Sequence, residues 1–476
     1  MRAFERGKCG ECVSCGRCGA PKDPGALKRK EEISATMREF RTDNEFEKSL
    51  EGDRRSRCFG LSFDVGTTTV VGMLWNLVSG ELAGVKAEAN PQAAHGADVI
   101  SRIVFAGEKD GNLAVLQSEI IGCMNRIAGT LSESLKIPRE DILDAVACGN
   151  TTMSHLIIGA CPSGLARAPF APAFYGAVNR NAASLGLKIN PAANLALLPN
   201  IAGHVGSDVT SGLLSAGIMH KEGVHLLIDI GTNGEIVLCA DGKAAACSTA
   251  AGPAFEGATV SQGMRAAAGA IERVDIGAAG VEVGVIGGLR PSGICGSGII
   301  DAVSELFRAG LMDKTGRLYT AEAALQKGSP AEAAQHLREG KAGREFLLAG
   351  DGASGDVAVT QKDIREVQLA KAAMRAGIAL MLKGFGLIEA DIQHIYVAGA
   401  FGSHIRTESA IGIGLIPDIG KEKVLHIGNA AGVGAGMALL SDAARKEAAQ
   451  TVLGVRHVEL AADPLFQEVY LGAMAF

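Results

Sequence analysis

Aspartate, glycine and hydroxyl residues recur in one arrangement at two places in the chain. Asp64-Val65-Gly66-Thr67 and Asp229-Ile230-Gly231-Thr232 each close an apolar run, 165 positions apart (229 − 64). A tight turn at Gly66 with Thr67, Thr68 and Thr69 gathers backbone N–H groups and hydroxyls around one point, and the missing Cβ lets a phosphate approach. The second turn repeats this with Gly231, Thr232 and Asn233. Asp64 and Asp229, at the strand ends, suit a Mg²⁺ held through water, because hard carboxylate oxygens match that ion. One such turn alone reads better as an ordinary hairpin; two in the same context reverse that and favour phosphate binding.

A third stretch, "IYVAGAFGS" (395–403), is an apolar strand running into a glycine-rich turn. Gly399, Ala400, Phe401 and Gly402 would let a base or a phosphate lie against backbone; a plain strand-to-helix connection is the alternative. Asp208, 21 residues before Asp229 (229 − 208), is the candidate for positioning an attacking water or hydroxyl. Its alternative role is a helix N-cap before "VTSGLLSAG".

Cys9, Cys12, Cys15 and Cys18 fall at every third position near the N-terminus. A structural zinc site of four thiolates ordinarily separates two Cys-x-x-Cys pairs by about a dozen residues or more, and here no separation exists. Cys-x-x-Cys-x-x-Cys is instead the spacing of three corners of a [4Fe–4S] cluster. Cys18 comes one position earlier than ferredoxin-type runs place their next cysteine. It either completes that cluster, ligates elsewhere, or points to a cluster shared in a homodimer. Zinc stays open as the alternative.

The elements that would position these groups are legible as patterns. Strand, turn, strand, polar turn and strand follow one another in both 61–89 and 226–250, a three-strand meander written twice. Helical periodicity runs through 112–135, 296–312 and 360–386, the last opening on a capping box, Thr360 with Asp363. Residues 144–149 read as a buried strand. The expected organisation is a Cys-rich segment (1–20), a charged tether (21–57), a first lobe (58–222) and a second lobe (223–476) with a polar insertion near 313–358. About half of residues 21–57 are charged, too many to bury much surface.

Composition bounds the class. Among 476 residues, 47% hydrophobic and 4% aromatic with 63 glycines fit an α/β protein rich in tight turns. A net charge of −6 gives no global case for nucleic acid. The N-terminus has no apolar core of a signal peptide, and no apolar stretch is long enough to span a bilayer. Eleven cysteines in an unexported chain suit reduced thiols or metal ligands, so the expected compartment is the cytoplasm. The cysteines beyond the N-terminal four sit in apolar contexts, and His95, His155 and His204 read as loop or capping residues.

In order, the two phosphate turns and the glycine-rich loop resemble the layout of the acetate kinase, sugar kinase, heat-shock ATPase and actin superfamily. That resemblance implies two RNase-H-like lobes closing on ATP, with Asp208 where sugar kinases carry a Gly-x-Asp base. A narrower family, the reductive activators of corrinoid proteins, is similar across most of the chain from residue 60. Its marks are "FDVGTTT", "NPQAAHGADVISRI" (90–103), "GNTTMSHLIIG" (149–159), "LLPNIAGHVGSD", "IDIGTNGEIVL", "AAGPAFEGATVSQGMRA" (250–266), "GICGSGIIDAV", "TQKDIREVQLAKAA" and "VAGAFGSHI". The departure is at the front, where better-described members carry a plant-type [2Fe–2S] domain and this chain has four clustered cysteines.

The resemblance implies ATP-dependent reduction of cobalt(II) to cobalt(I) on a corrinoid methyltransfer protein, with an iron–sulfur cluster and a low-potential donor. It also implies a serine hydroxyl approaching the cobalt; Ser248 in "ACSTAAGPAFEG" is the best match. Cobalt(I) is a strong reductant, and an uphill gap of about 250 mV would cost roughly 6 kcal/mol for one electron. ATP-driven movement of the lobes would offset such a cost. The rival readings are a small-molecule kinase, an activator of another low-potential enzyme such as a radical 2-hydroxyacyl-CoA dehydratase, and a nucleotide sensor with a zinc tag.

Overall fold

The computed structural model describes residues 57–231, 233–257, 259–341, 343–350, 355–399 and 402–476. The four N-terminal cysteines, the tether up to residue 56, Thr232, Ala400 and Phe401 lie outside the described residues. Two compact units result, one of residues 256–367 and one combining 57–255 with 368–476.

In the larger unit, six strands build the first sheet. They are β1 (Phe59–Val65), β2 (Thr69–Asn76), β3 (Leu82–Ala89), β4 (Ile142–Gly149), β5 (Val178–Asn181) and β6 (Asn194–Leu197), in the order β3-β2-β1-β4-β6-β5. The chain then writes the second meander as β7 (Val224–Ile230), β8 (Gly234–Ala240) and β9 (Lys243–Thr249). The smaller unit follows with two three-stranded sheets, β11-β10-β12 and β13-β14-β15. Their strands are β10 (Ala270–Gly277), β11 (Gly280–Val285), β12 (Gly293–Ile294), β13 (Leu337–Gly340), β14 (Gly343–Ala349) and β15 (Val357–Thr360). It includes the stretch 313–358.

Back in the larger unit, β16 (Ile392–Ala398), β17 (Val424–Gly428) and β18 (Val455–His457) complete the second sheet as β17-β16-β7-β8-β9-β18. The duplication therefore extends past the meanders. In both sheets the meander's first strand pairs in parallel with a later strand, β1 with β4 and β7 with β16, and another parallel strand lies beyond it. The expected α/β architecture of two RNase-H-like sheets is what forms.

β4 is apolar on both faces (Ile142, Ala145, Val146, Ala147) because a parallel central strand is covered on both sides. The 24-residue helix Asn112–Leu135 packs on β2 and β3 and places Leu116, Ile120, Met124 and Ile127 in one core with Leu61, Phe63 and Val65 of β1. The helix Ala430–Leu440 packs on β1 and β4, and every one of its residues is buried. It is apolar all round, as a fully enclosed helix must be. The helix Ser207–Ala216 lies against it and contributes Val209 and Leu213 to the core beneath β7 and β8. The Ser211 hydroxyl donates to the Ala431 carbonyl at 2.5 Å across this helix pair.

The expected capping box forms: the Thr360 N–H donates to Asp363 at 2.9 Å, and the Asp363 N–H to the Thr360 hydroxyl at 3.2 Å. It opens the helix Gln361–Phe385. Among the described residues, no helix is long and apolar enough to cross a membrane.

Candidate functional site

The first turn connects β1 to β2, and its four carbonyls are all engaged. Asn90 takes two: its side-chain amide donates to Gly66 O at 2.9 Å and its N–H to Thr68 O at 2.9 Å. Arg102 donates to Thr67 O at 2.6 Å, and the Gly66 N–H closes the turn on Thr69 O at 2.9 Å. Asn150, capping the helix Thr151–Ile158, donates to the Thr67 hydroxyl at 3.0 Å. Gly66 is required by the turn itself, since a Cβ there would sit 2.8 Å from Thr69 O. Thr67 and Thr68 are half-buried and Thr69 is exposed.

The second turn, from β7 to β8, is one residue shorter: three residues separate the pair Ile230–Gly234, against four for Val65–Val70. The Gly231 N–H donates to Asn233 O at 3.0 Å, and the Thr249 hydroxyl donates to Gly234 O at 3.1 Å. Beside it, β16 runs into Gly399, whose φ of +93° is a left-handed conformation. A Cβ there would lie 2.5 Å from the Asp229 carboxylate, so only glycine lets the loop start so close to that acid. Gly402 opens a short turn, Gly402–His404, and its carbonyl accepts from His426 Nδ1 at 2.8 Å.

Three of the singled-out acids come together. Asp64 and Asp229 stand at the ends of β1 and β7, and Asp208 lies in the first turn of the helix Ser207–Ala216. All three are half-buried. Burial and the negative charge of Asp208 push the Asp64 carboxyl up to about 7, although Asn429 donates to it at 3.0 Å. Burial, Asp208 and Asp64 push Asp229 up to about 7, and burial raises Asp208 itself to about 6. The charged neighbours that shift Asp64 and Asp229 are other acids of the group. The capping alternative for Asp208 is not realised: the helix N-cap is Gly206, and Asp208 accepts from the Val209 N–H at 2.8 Å.

A fourth acid joins them that sequence reasoning missed. Glu235 on β8 is directly opposite Asp229 on β7 and opposite Ser248 on β9, so the three side chains share one face in a row. The Ser248 hydroxyl donates to Glu235 at 3.3 Å. Burial first, then Asp208 and Asp229, hold the Glu235 carboxyl well above its usual range. Its signal in the sequence was a lone acid opening the apolar run "IVL". Cys148, level with Asp64 on β4, is buried among the same acids, and burial with their charge raises its thiol further.

Comparison with known proteins gives two adjoining family matches. Residues 59–222 match the RACo middle region, and residues 223–476 match the C-terminal domain of RACo, the ASKHA domain. This chain belongs to the RACo family. It is 38% identical over 446 residues to the corrinoid activation enzyme RamQ of Eubacterium limosum, covering 91% of this chain and 71% of that protein. It is 27% identical over 253 residues to a [Co(II) methylated amine-specific corrinoid protein] reductase of Methanosarcina barkeri, covering 48% of this chain and 42% of that one. Among solved structures, a reductive activator for corrinoid, iron-sulfur protein superposes with a TM-score of 0.79 at 37% identity. That match covers 90% of this chain and 67% of the other.

Residues 223–476 are thus the ASKHA domain of a RACo-family chain. The described cysteines of the chain fit the expected packing role: Cys58, Cys123, Cys148, Cys239, Cys247 and Cys295 are buried, and Cys161 alone among them is exposed. Burial raises the Cys123 thiol to about 11. His155 is satisfied structurally, donating to Thr151 O at 2.7 Å and accepting from the Ala173 N–H at 2.8 Å. Among the described residues no group of three or more His, Cys, Asp or Glu is arranged to ligate a metal ion directly.

Proposed function

We propose that this chain is an ATP-dependent reductive activator, passing one electron to the cobalt(II) corrinoid of a partner methyltransfer protein and restoring cobalt(I). The observation that carries the reading is the meeting of two phosphate turns and four mutually repelling carboxyls in a chain of this family. The names of its relatives, a corrinoid activation enzyme and a cobalt(II) corrinoid protein reductase, supply the substrate class.

In this reading Gly66, Thr67, Thr68 and Thr69 cradle one end of the triphosphate and Gly231, Thr232 and Asn233 the other, through backbone N–H groups and hydroxyls. Gly399, Ala400, Phe401 and Gly402 take the adenosine. The carboxyls fit a divalent cation electrostatically, since their charge is uncompensated by one another. With no direct three-ligand set among the described residues, Asp64, Asp229 and Glu235 would hold Mg²⁺ chiefly through its waters. Asp208, poised near neutrality by its burial, orients the attacking water and accepts its proton. Ser248 faces the corrinoid.

Cys9, Cys12, Cys15 and Cys18 are a donor set of four thiolates, suited to an iron–sulfur cluster of the [4Fe–4S] type. A cluster held there would supply the single electron. Reduced thiols and a strongly reduced product favour a cytoplasmic setting.

The test is anaerobic reduction of a cobalt(II) corrinoid protein by a low-potential electron donor, with and without ATP, using wild type and Cys12→Ala. Cobalt(I) should accumulate only in wild type supplied with ATP, while Cys12→Ala keeps its ATP hydrolysis. Reduction by Cys12→Ala at the wild-type rate, or without ATP, would overturn the reading.

A further inference from the structure

Arg102 is the second largest fully buried side chain among the described residues, after Trp75. It comes from the helix Val99–Glu108, within a stretch the nucleotide reading leaves without a role. The guanidinium donates to Thr67 O at 2.6 Å, Gly96 O at 3.0 Å and the Gln92 side-chain carbonyl at 3.3 Å. Every one of these acceptors is neutral. Two acids act on it through charge without bonding it: Asp98 bonds Ser101, and Glu119 bonds His95 through one oxygen while its other oxygen is buried with no partner among the described residues. Burial lowers the group only to about 10, so it stays charged at neutral pH.

We propose that Arg102 is a positioning residue for the nucleotide's phosphates, fixing the first turn from behind and lending it a buried positive charge. The inference rests on the nucleotide reading above. A trans peptide points its N–H opposite to its carbonyl. Holding Thr67 O back on Arg102 and Gly66 O back on Asn90 therefore aims the Thr68 and Thr67 N–H groups forward, toward where a phosphate would sit. A neutral donor could hold the same carbonyls. Burying a whole cation costs more than burying an amide, and the cost is offset when an anion sits across a thin, water-poor turn. The second turn has no arginine holding any of its described residues.

The test separates charge from scaffolding by comparing affinities for Mg-ATP and for adenosine, which lacks the phosphates. Arg102→Gln keeps donors for the carbonyls and removes the charge; the ratio of the two affinities should fall about tenfold or more, with adenosine binding held within about threefold. Arg102→Lys restores the charge and should bring the ratio back to within about threefold of wild type. An equal loss for both ligands, or an unchanged ratio in Arg102→Gln, would overturn the proposal. Should Arg102→Gln fail to fold, Arg102→Lys decides alone: a folded lysine variant that loses the ratio overturns it, and one that keeps it supports it. If wild type itself binds no Mg-ATP, the nucleotide reading fails rather than the role of Arg102.

Discussion

Level with Asp64, the first meander continues across the sheet into Val71 and then Ala87; level with Asp229, the second continues into Glu235 and then Ser248. The backbones repeat each other, yet one row is an acid followed by two apolar residues and the other is an acid, an acid and a hydroxyl. The supports differ in the opposite sense. The first turn is braced by Asn90, Arg102 and Asn150, whereas the described part of the second is closed on itself and tied by Thr249. We read this as a division of labour: a braced turn on one side, and the acid-rich row on the other.

If that division is right, neutralising the acid that belongs to neither row should slow chemistry far more than binding. Asp208→Asn should slow ATP hydrolysis by about 10²–10⁴-fold while nucleotide affinity changes only a few-fold, the behaviour expected of a lost general base. Single-turnover phosphate release beside equilibrium binding checks it; a parallel fall in both would assign Asp208 to binding instead. Next, Glu235→Val rewrites the second row in the image of the first. Hydrolysis should fall by about ten- to a hundredfold and the Mg²⁺ concentration needed for half-maximal rate should rise, because one charge that favours the cation is gone. An unchanged Mg²⁺ requirement would leave Glu235 as a strand residue only.

Ser248→Ala, further along the same row, should separate the two activities. Hydrolysis should stay within about twofold of wild type while corrinoid reduction drops about tenfold, the scale of one lost polar contact. Equal loss of both would put Ser248 with the nucleotide rather than the cobalt.

The smallest expected effect is on stability. Asp64 and Asp229 titrate near 7 in the fold against an ordinary 3.8, so between those values the folded chain holds protons that the unfolded chain has released. Stability from these groups is present below about pH 4 and is lost as pH rises through about 7. Asp208 contributes in the same sense and also raises its neighbours. Asp208→Asn should therefore flatten the fall in Tm between pH 5 and 8, by about a few degrees at the upper end. An unchanged slope would mean the acids do not interact as their proximity implies.

The parts legible in the sequence were those that local pattern encodes. The doubled meander showed through alternating runs and turn residues, and Thr360 with Asp363 announced a helix start three residues apart. What was not legible depends on the fold bringing distant segments together. Asn429 reaches Asp64 from 365 positions away (429 − 64), and no local spacing connects them. Arg102 and Asn90 stood in a stretch noticed only as a family mark, because a side chain that braces a turn 35 residues back (102 − 67) has no signature of its own. Glu235 was hidden by register: only the pairing of β7 with β8 and β8 with β9 sets it between Asp229 and Ser248.

The central claim is that nucleotide chemistry at the second turn drives cobalt reduction, and it is tested most directly by following both events in one anaerobic mixture. Wild type and Asp229→Asn are each mixed with a low-potential reductant, ATP and a cobalt(II) corrinoid protein, and phosphate release and cobalt(I) formation are recorded together. The account predicts both signals in wild type and neither in Asp229→Asn, with the variant still folded and still bound to the corrinoid protein. Cobalt(I) formed by Asp229→Asn at the wild-type rate, with no phosphate released, would contradict it.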